Sequence, residues 1–121
     1  TARAENLLRG INDLDDTIKR LQAFEAVGAN ILYAPGICSL VDLKQITSEL
    51  KSPFNVLAPF FRGVSVNELA EAGAKRISIG GGLNWAAVNP ILKAGKEMLE
   101  KGTFNWTAEM APNGEVKKLF G

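Results

Sequence analysis

Four short apolar runs, each followed by a longer segment with helical spacing, constrain this chain more than any other feature. They are residues 1–4 ("TARA"), 30–34 ("NILYA"), 54–58 ("FNVLA") and 76–80 ("RISIG"). None alternates cleanly between polar and apolar residues, which is how a parallel strand buried on both faces reads. The helical segments between them have recognisable ends. Asp13, Asp15 and Asp16 stand at the start of a helix predicted over 14–27, and Gly28 lies just past it. Carboxylates there complement the helix dipole, and glycine suits the residue after a last turn. Ser39 caps a second helix predicted to residue 50. Ser65 and Glu68 form a capping-box pair ahead of a third, which stops at Gly73. Asn89-Pro90 reads as an N-cap with proline in the first helical position, starting a fourth helix that ends at Lys101. Residues 84–88 then form a separate helical turn, and residues 103–121 are a tail without clear period.

There is a faint internal repeat. "VGANILYAPG" (27–36) and "AGAKRISIGG" (72–81) share a Gly-Ala, an apolar strand and a glycine-bearing turn. Strands that alternate with helices through short loops predict an α/β fold with a parallel sheet. Residues 1–102 make four βα units, which is half of an eight-fold (β/α)8 TIM barrel; the other simple option, a small flavodoxin-like sheet, usually has five strands and a segment ahead of the first. A half-barrel has two open sheet edges, so it is expected to pair with a missing N-terminal half or to form a homo-oligomer. The first strand has no lead-in, so the chain is expected to begin within the fold.

The chemistry is bounded by what is missing. The 121 residues include no histidine and a single cysteine, Cys38. Ser-His-Asp and Cys-His nucleophile pairs, histidine acid–base work and zinc are thereby excluded from these residues. A lone cysteine rules out an internal disulfide and fits a reducing compartment, so a cytoplasmic location is expected. A net charge of +1 without a Lys/Arg run gives no footprint for nucleic acid or an anionic membrane.

Gly80, Gly81 and Gly82 sit between the last strand and a helix, where many barrels bind phosphate on backbone amides. They match neither G-x-G-x-x-G nor a P-loop, and glycines there also serve a tight turn with no ligand. "NDLDD" (12–16) looks like a calcium loop but lacks its glycine and its distal glutamate, with Phe24 where that acid would fall. Tyr33, Phe60, Phe61 and Arg62 are placed in βα loops, bordering a pocket or simply packing. Trp85 and Trp106 are expected to cover apolar surface on or between subunits. Cys38 is expected to be partly buried and inert.

The stretches "ARAENLLRGINDLDDTIKRLQAFEAVGANILYAPG", "FNVLA" and "ELAEAGAKRISIGGGL" resemble the isocitrate lyase/phosphoenolpyruvate mutase superfamily, in particular its phosphonomutase-like and methylisocitrate lyase-like members. The resemblance runs to about Phe104 and matches only the second half of that family's chain, strands five to eight of a modified (β/α)8 barrel. It implies C–C or P–C bond chemistry on a 2-oxo or 2-hydroxy acid, through an enolate held on Mg²⁺. It also implies that the metal carboxylates and the cysteine-bearing catalytic loop belong to the first half, so this chain holds no metal ligand and no catalytic residue. Cys38 lies in the wrong loop to be that cysteine. Arg3 matches the arginine that binds substrate carboxylate or phosphonate in the family's strand-five motif, a task suited to its planar fork. Pro35 falls where the lyases use an acid and the mutases a histidine, and Pro59 falls near an asparagine of several lyases. Methylisocitrate lyase and phosphonomutase chemistry in their usual forms are therefore not expected. The last helix, from Pro90 to the tail, is expected to exchange between subunits as in the family. The expected function is the C-terminal portion of a Mg²⁺-dependent lyase or phosphonomutase-like enzyme, inactive as this chain alone. The alternative is a non-enzymatic half-barrel that assembles or binds a small anion.

Overall fold

In a computed structural model, which describes residues 1–120, the four strands are β1 (Ala2–Arg3), β2 (Leu32–Tyr33), β3 (Phe54–Leu57) and β4 (Ala74–Ser78). All are parallel, in the order β1-β2-β3-β4, so each strand lies beside the one that follows it in sequence. The helices are α1 (Leu14–Ala26), α2 (Leu40–Ser48), α3 (Val66–Glu71), α4 (Gly82–Lys101) and α5 (Asn113–Phe120), with short 3-10 turns at Leu7–Arg9, Ala58–Phe60 and Asn105–Glu109. This is the α/β arrangement of four βα units expected from the sequence. The chain divides into two compact units, one over Thr1–Gly80 and one from Gly81 onward.

In the first unit the helix starts follow from local chemistry. The Asp13 side chain accepts from the Asp16 amide at 2.8 Å. The Ser39 hydroxyl accepts from Val41 and Asp42 at 3.2 and 3.4 Å. Ser65 and Glu68 complete a reciprocal capping box. Each satisfies amides that the first helical turn would otherwise leave without a partner.

Register sorts the strand residues into two faces. One row, Ala2–Leu32–Phe54–Ala74, is apolar; the next, Arg3–Tyr33–Asn55–Arg76, is polar. In β1, β2 and β3 the residues of the two rows are successive and so point to opposite sides of the sheet, while in β4 the register shifts by one residue between Ala74 and Arg76, as at a β-bulge. The apolar row joins Leu21, Leu43, Ile46 and Leu69 of α1–α3 in a single buried cluster. On the polar face Arg76 Nη1 lies 3.4 Å from Thr1 Oγ1, although β1 and β4 are the two edges of the sheet. Three strand spacings would separate them by about 14 Å in a flat sheet, so the sheet curls and the polar face is its concave side.

The second unit differs in kind. No residue from 81 to 120 is buried, and Leu83, Leu99, Phe104, Leu119 and Phe120 are between 62% and 90% exposed. The break expected at Asn89-Pro90 is absent: α4 runs unbroken from Gly82 to Lys101 with Pro90 inside it. A proline forfeits one backbone bond in a helix interior. Here the turn expected over 84–88 and the helix expected after it simply join across that gap. The tail is not without structure either, for α5 and a 3-10 turn occupy it; eight residues are too few for a period to show. Among the described residues no helix is long and apolar enough to cross a membrane.

Candidate functional site

A parallel sheet sends all its strand ends to one edge, which is where α/β and barrel folds assemble their sites. At that edge of the first unit stand Arg3 at the end of β1, Tyr33 at the end of β2, the 3-10 turn after β3, and Ile79-Gly80 after β4. Arg3 is about half exposed. Its Nε donates to Glu5 Oε1 at 2.7 Å, and its Cζ lies 5.1 Å from the centre of the Tyr33 ring. Register accounts for the second contact, because Arg3 and Tyr33 are paired residues of neighbouring strands. Tyr33 is only 9% exposed. Burial pushes its phenol above the usual value, Arg3 pulls the other way, and Glu5 adds to the rise.

The loops that bring these groups together pack tightly. Gly36, in the turn after β2, has φ +103°, and a Cβ there would sit 2.9 Å from the Leu8 amide nitrogen. Only glycine lets that turn lie against the loop carrying Glu5 and Asn6. Asn6 is buried and donates from Nδ2 to Thr17 Oγ1 at 2.6 Å and to the Asp13 carbonyl at 3.1 Å, which pins the same loop to α1. Deeper on the concave face, Asn55 donates to Ser78 Oγ at 3.0 Å, and Ser78 donates to the Val56 carbonyl at 3.1 Å.

Other sequence expectations meet the structure less well. Tyr33 is the last residue of β2, inside the run read as a strand over 30–34 rather than in the loop after it, and Phe61 is a core residue at 4% exposure. Phe60 and Arg62 are exposed in the β3–α3 loop. Cys38, just ahead of the Ser39 cap, is exposed rather than partly buried. Gly80 ends the first unit with φ +51°, and a Cβ there would press against Leu57 Cδ1 at 3.3 Å. Gly81 caps α4 without a side-chain bond, and Trp85 Nε1 lies 3.5 Å from where its Cβ would be. Pro35 is fully buried beside Tyr33, and Pro59 is exposed.

Mg²⁺ does not fit the residues present. The loops after β2, β3 and β4 contain no Asp or Glu, and in the loop after β1 Glu5 is engaged by Arg3 while Asp13 caps α1. Among the described residues no three His, Cys, Asp or Glu side chains are grouped to hold a metal ion.

The second unit contains a cleft of about 510 Å³ lined by Pro90, Ala94, Met98, Trp106 and Met110. The Lys93–Glu109 ion pair, 2.7 Å long, lies at its side. The Trp106 indole N–H is buried there without a hydrogen-bond partner.

Comparison with known proteins places these features in context. Residues 1–99 match a family model described as phosphoenolpyruvate phosphomutase. The crystal structure of a protein assigned as a lyase/mutase from Burkholderia cenocepacia J2315 is 42% identical, with a TM-score of 0.91 over 99% of this chain. A second protein from that organism, assigned as a phosphonomutase, is 29% identical with a TM-score of 0.67, covering 80% of this chain and 42% of its own. A phosphonopyruvate hydrolase solved in complex with oxalate and Mg²⁺ is 17% identical, with a TM-score of 0.71 over 98% of this chain and 44% of its own. That last likeness is one of fold. The chain spans 44% of the length of the first of these structures. No curated protein sequence matches it.

Proposed function

Because this chain belongs to the phosphoenolpyruvate phosphomutase family, we propose that it forms the carboxylate-anchoring part of a Mg²⁺-dependent lyase or mutase acting on a 2-oxo or 2-hydroxy acid through an enolate. The observation that carries the reading is Arg3: a half-exposed guanidinium at the carboxyl end of a parallel strand, with neither Nη group hydrogen-bonded among the described residues. A guanidinium there receives a substrate carboxylate bidentately and offsets the negative charge that an enolate develops. Oxalate, the ligand of the phosphonopyruvate hydrolase, is a small dicarboxylate of the right kind to probe it. Titrating oxalate into the chain while following the Arg3 Nε–Hε resonance tests the anchor. A shift centred on Arg3 supports it, and a response confined to Gly80–Gly82 would transfer the role to the glycine turn.

Among the described residues no carboxylates are grouped for Mg²⁺, and the contribution proposed for this chain is to bind and orient the acid. The 121-residue chain by itself is expected to show no Mg²⁺-dependent turnover of 2-oxo or 2-hydroxy acids. Product formation above the uncatalysed rate, abolished by a chelator, would contradict that.

A second reading is favoured by the apolar surface of the second unit. A half-barrel that assembles, as a homo-oligomer or with a missing N-terminal half, would cover Leu83, Leu99, Phe104, Leu119 and Phe120, which a monomer leaves in water. Assembly and catalysis are compatible, since the open edges of β1 and β4 call for a partner in either case.

A further inference from the structure

An arginine on a strand end is a floppy ligand unless something holds its plane, because a surface ion pair restrains it weakly. Arg3 has two restraints of different kinds. Glu5, two residues along the same face of the chain, accepts from Nε at 2.7 Å. Tyr33, its register partner on the next strand, presents a ring 5.1 Å from Cζ. The ring is itself closely packed: it is 9% exposed and belongs to a strand with neighbours on both sides. A guanidinium engaged through Nε and held over that ring keeps one edge open, the one formed by Nη1 and Nη2. That edge matches the two oxygens of a carboxylate.

We propose that Tyr33 and Glu5 are positioning residues for anion recognition, which set the Arg3 guanidinium so that its Nη edge alone meets a planar carboxylate. The proposal rests on the reading of Arg3 as the anchor and adds the two side chains that prepare it. It requires the ring of Tyr33 and not its hydroxyl, because a cation is attracted to the ring face. It requires the charge of Glu5, because a neutral amide holds an arginine Nε–H less firmly than a carboxylate does. Burial pushes the phenol up, in the direction that favours its neutral form beside the cation.

The test uses the full chain, oxalate as the probe, and three variants. Tyr33→Phe is expected to bind oxalate within about two-fold of the original chain, and Tyr33→Leu about two- to five-fold more weakly. Glu5→Gln is expected to move the Arg3 Nε–Hε resonance in the absence of oxalate while amides elsewhere stay in place. If Tyr33→Leu binds as well as Tyr33→Phe, or Tyr33→Phe loses as much as Tyr33→Leu, the role of the ring is overturned. Should Tyr33→Leu fail to fold, Glu5→Gln decides: an unmoved Arg3 resonance overturns the proposal. Lack of any oxalate response at Arg3 in the unsubstituted chain would instead overturn the anchor reading, and the positioning role with it. A response there that the variants leave unchanged overturns positioning alone.

Discussion

Phe54→Ala should cost the first unit about 3–5 kcal/mol of stability, the range for removing a buried phenyl group from a core. Phe54 is 2% exposed and sits between Leu32 and Ala74 in the apolar row, on a strand with neighbours on both sides. Alanine would leave a cavity under α1–α3 that short strands held by flanking helices have little room to close. Because small domains are stable by only about 5–15 kcal/mol, a loss of this size removes a large part of the total. Urea unfolding followed by circular dichroism reads it as a lowered midpoint at a similar slope. A loss below about 1 kcal/mol, the level of an ordinary substitution, would mean that the helices do not close over this row as described.

Arg3→Ala should act in the opposite way, leaving the fold nearly unchanged and removing the anion. Its ion pair with Glu5 is solvent-exposed, so stability should stay within about 0.5 kcal/mol. Two charge-assisted hydrogen bonds to a carboxylate are together worth about 3 kcal/mol, so oxalate affinity should fall roughly 100-fold, past the range that can be titrated. Arg3→Lys should recover only part of it, since an ammonium is a point charge without the planar fork. Oxalate binding that survives Arg3→Ala would place the anion elsewhere.

What the sequence reveals about this fold follows the range of the interactions involved. A helix cap is local: Asp13, Ser39 and the Ser65–Glu68 pair each satisfy amides within three residues, and the sequence shows Ser39 and Ser65–Glu68 as caps and Asp13 as a carboxylate at the helix start. Strand limits depend on neighbours. β1 and β2 keep only two paired residues each, and β4 begins at Ala74, earlier than the apolar run that announces it. Pro90 misleads because a proline marks a helix start far more often than a helix interior, and no local signal says that the turns on either side will join. The polar inner row could not be read from the sequence at all. Arg3, Tyr33, Asn55 and Arg76 are far apart along the chain, and only parallel register aligns them. The same holds for the site. Arg3 is legible through the family resemblance of its surroundings, whereas the contact with the Tyr33 ring depends on the pairing of β1 with β2, which the sequence does not show.

The central claim is that the curled four-strand sheet is part of a ring, and we propose that another chain or another copy covers its open edges and the apolar second unit. Light scattering coupled to size exclusion, run over a range of concentrations, tests it most directly. The account predicts a dimer or larger species that dissociates only when dilute. A monodisperse monomer that keeps its folded spectrum at every concentration would contradict it.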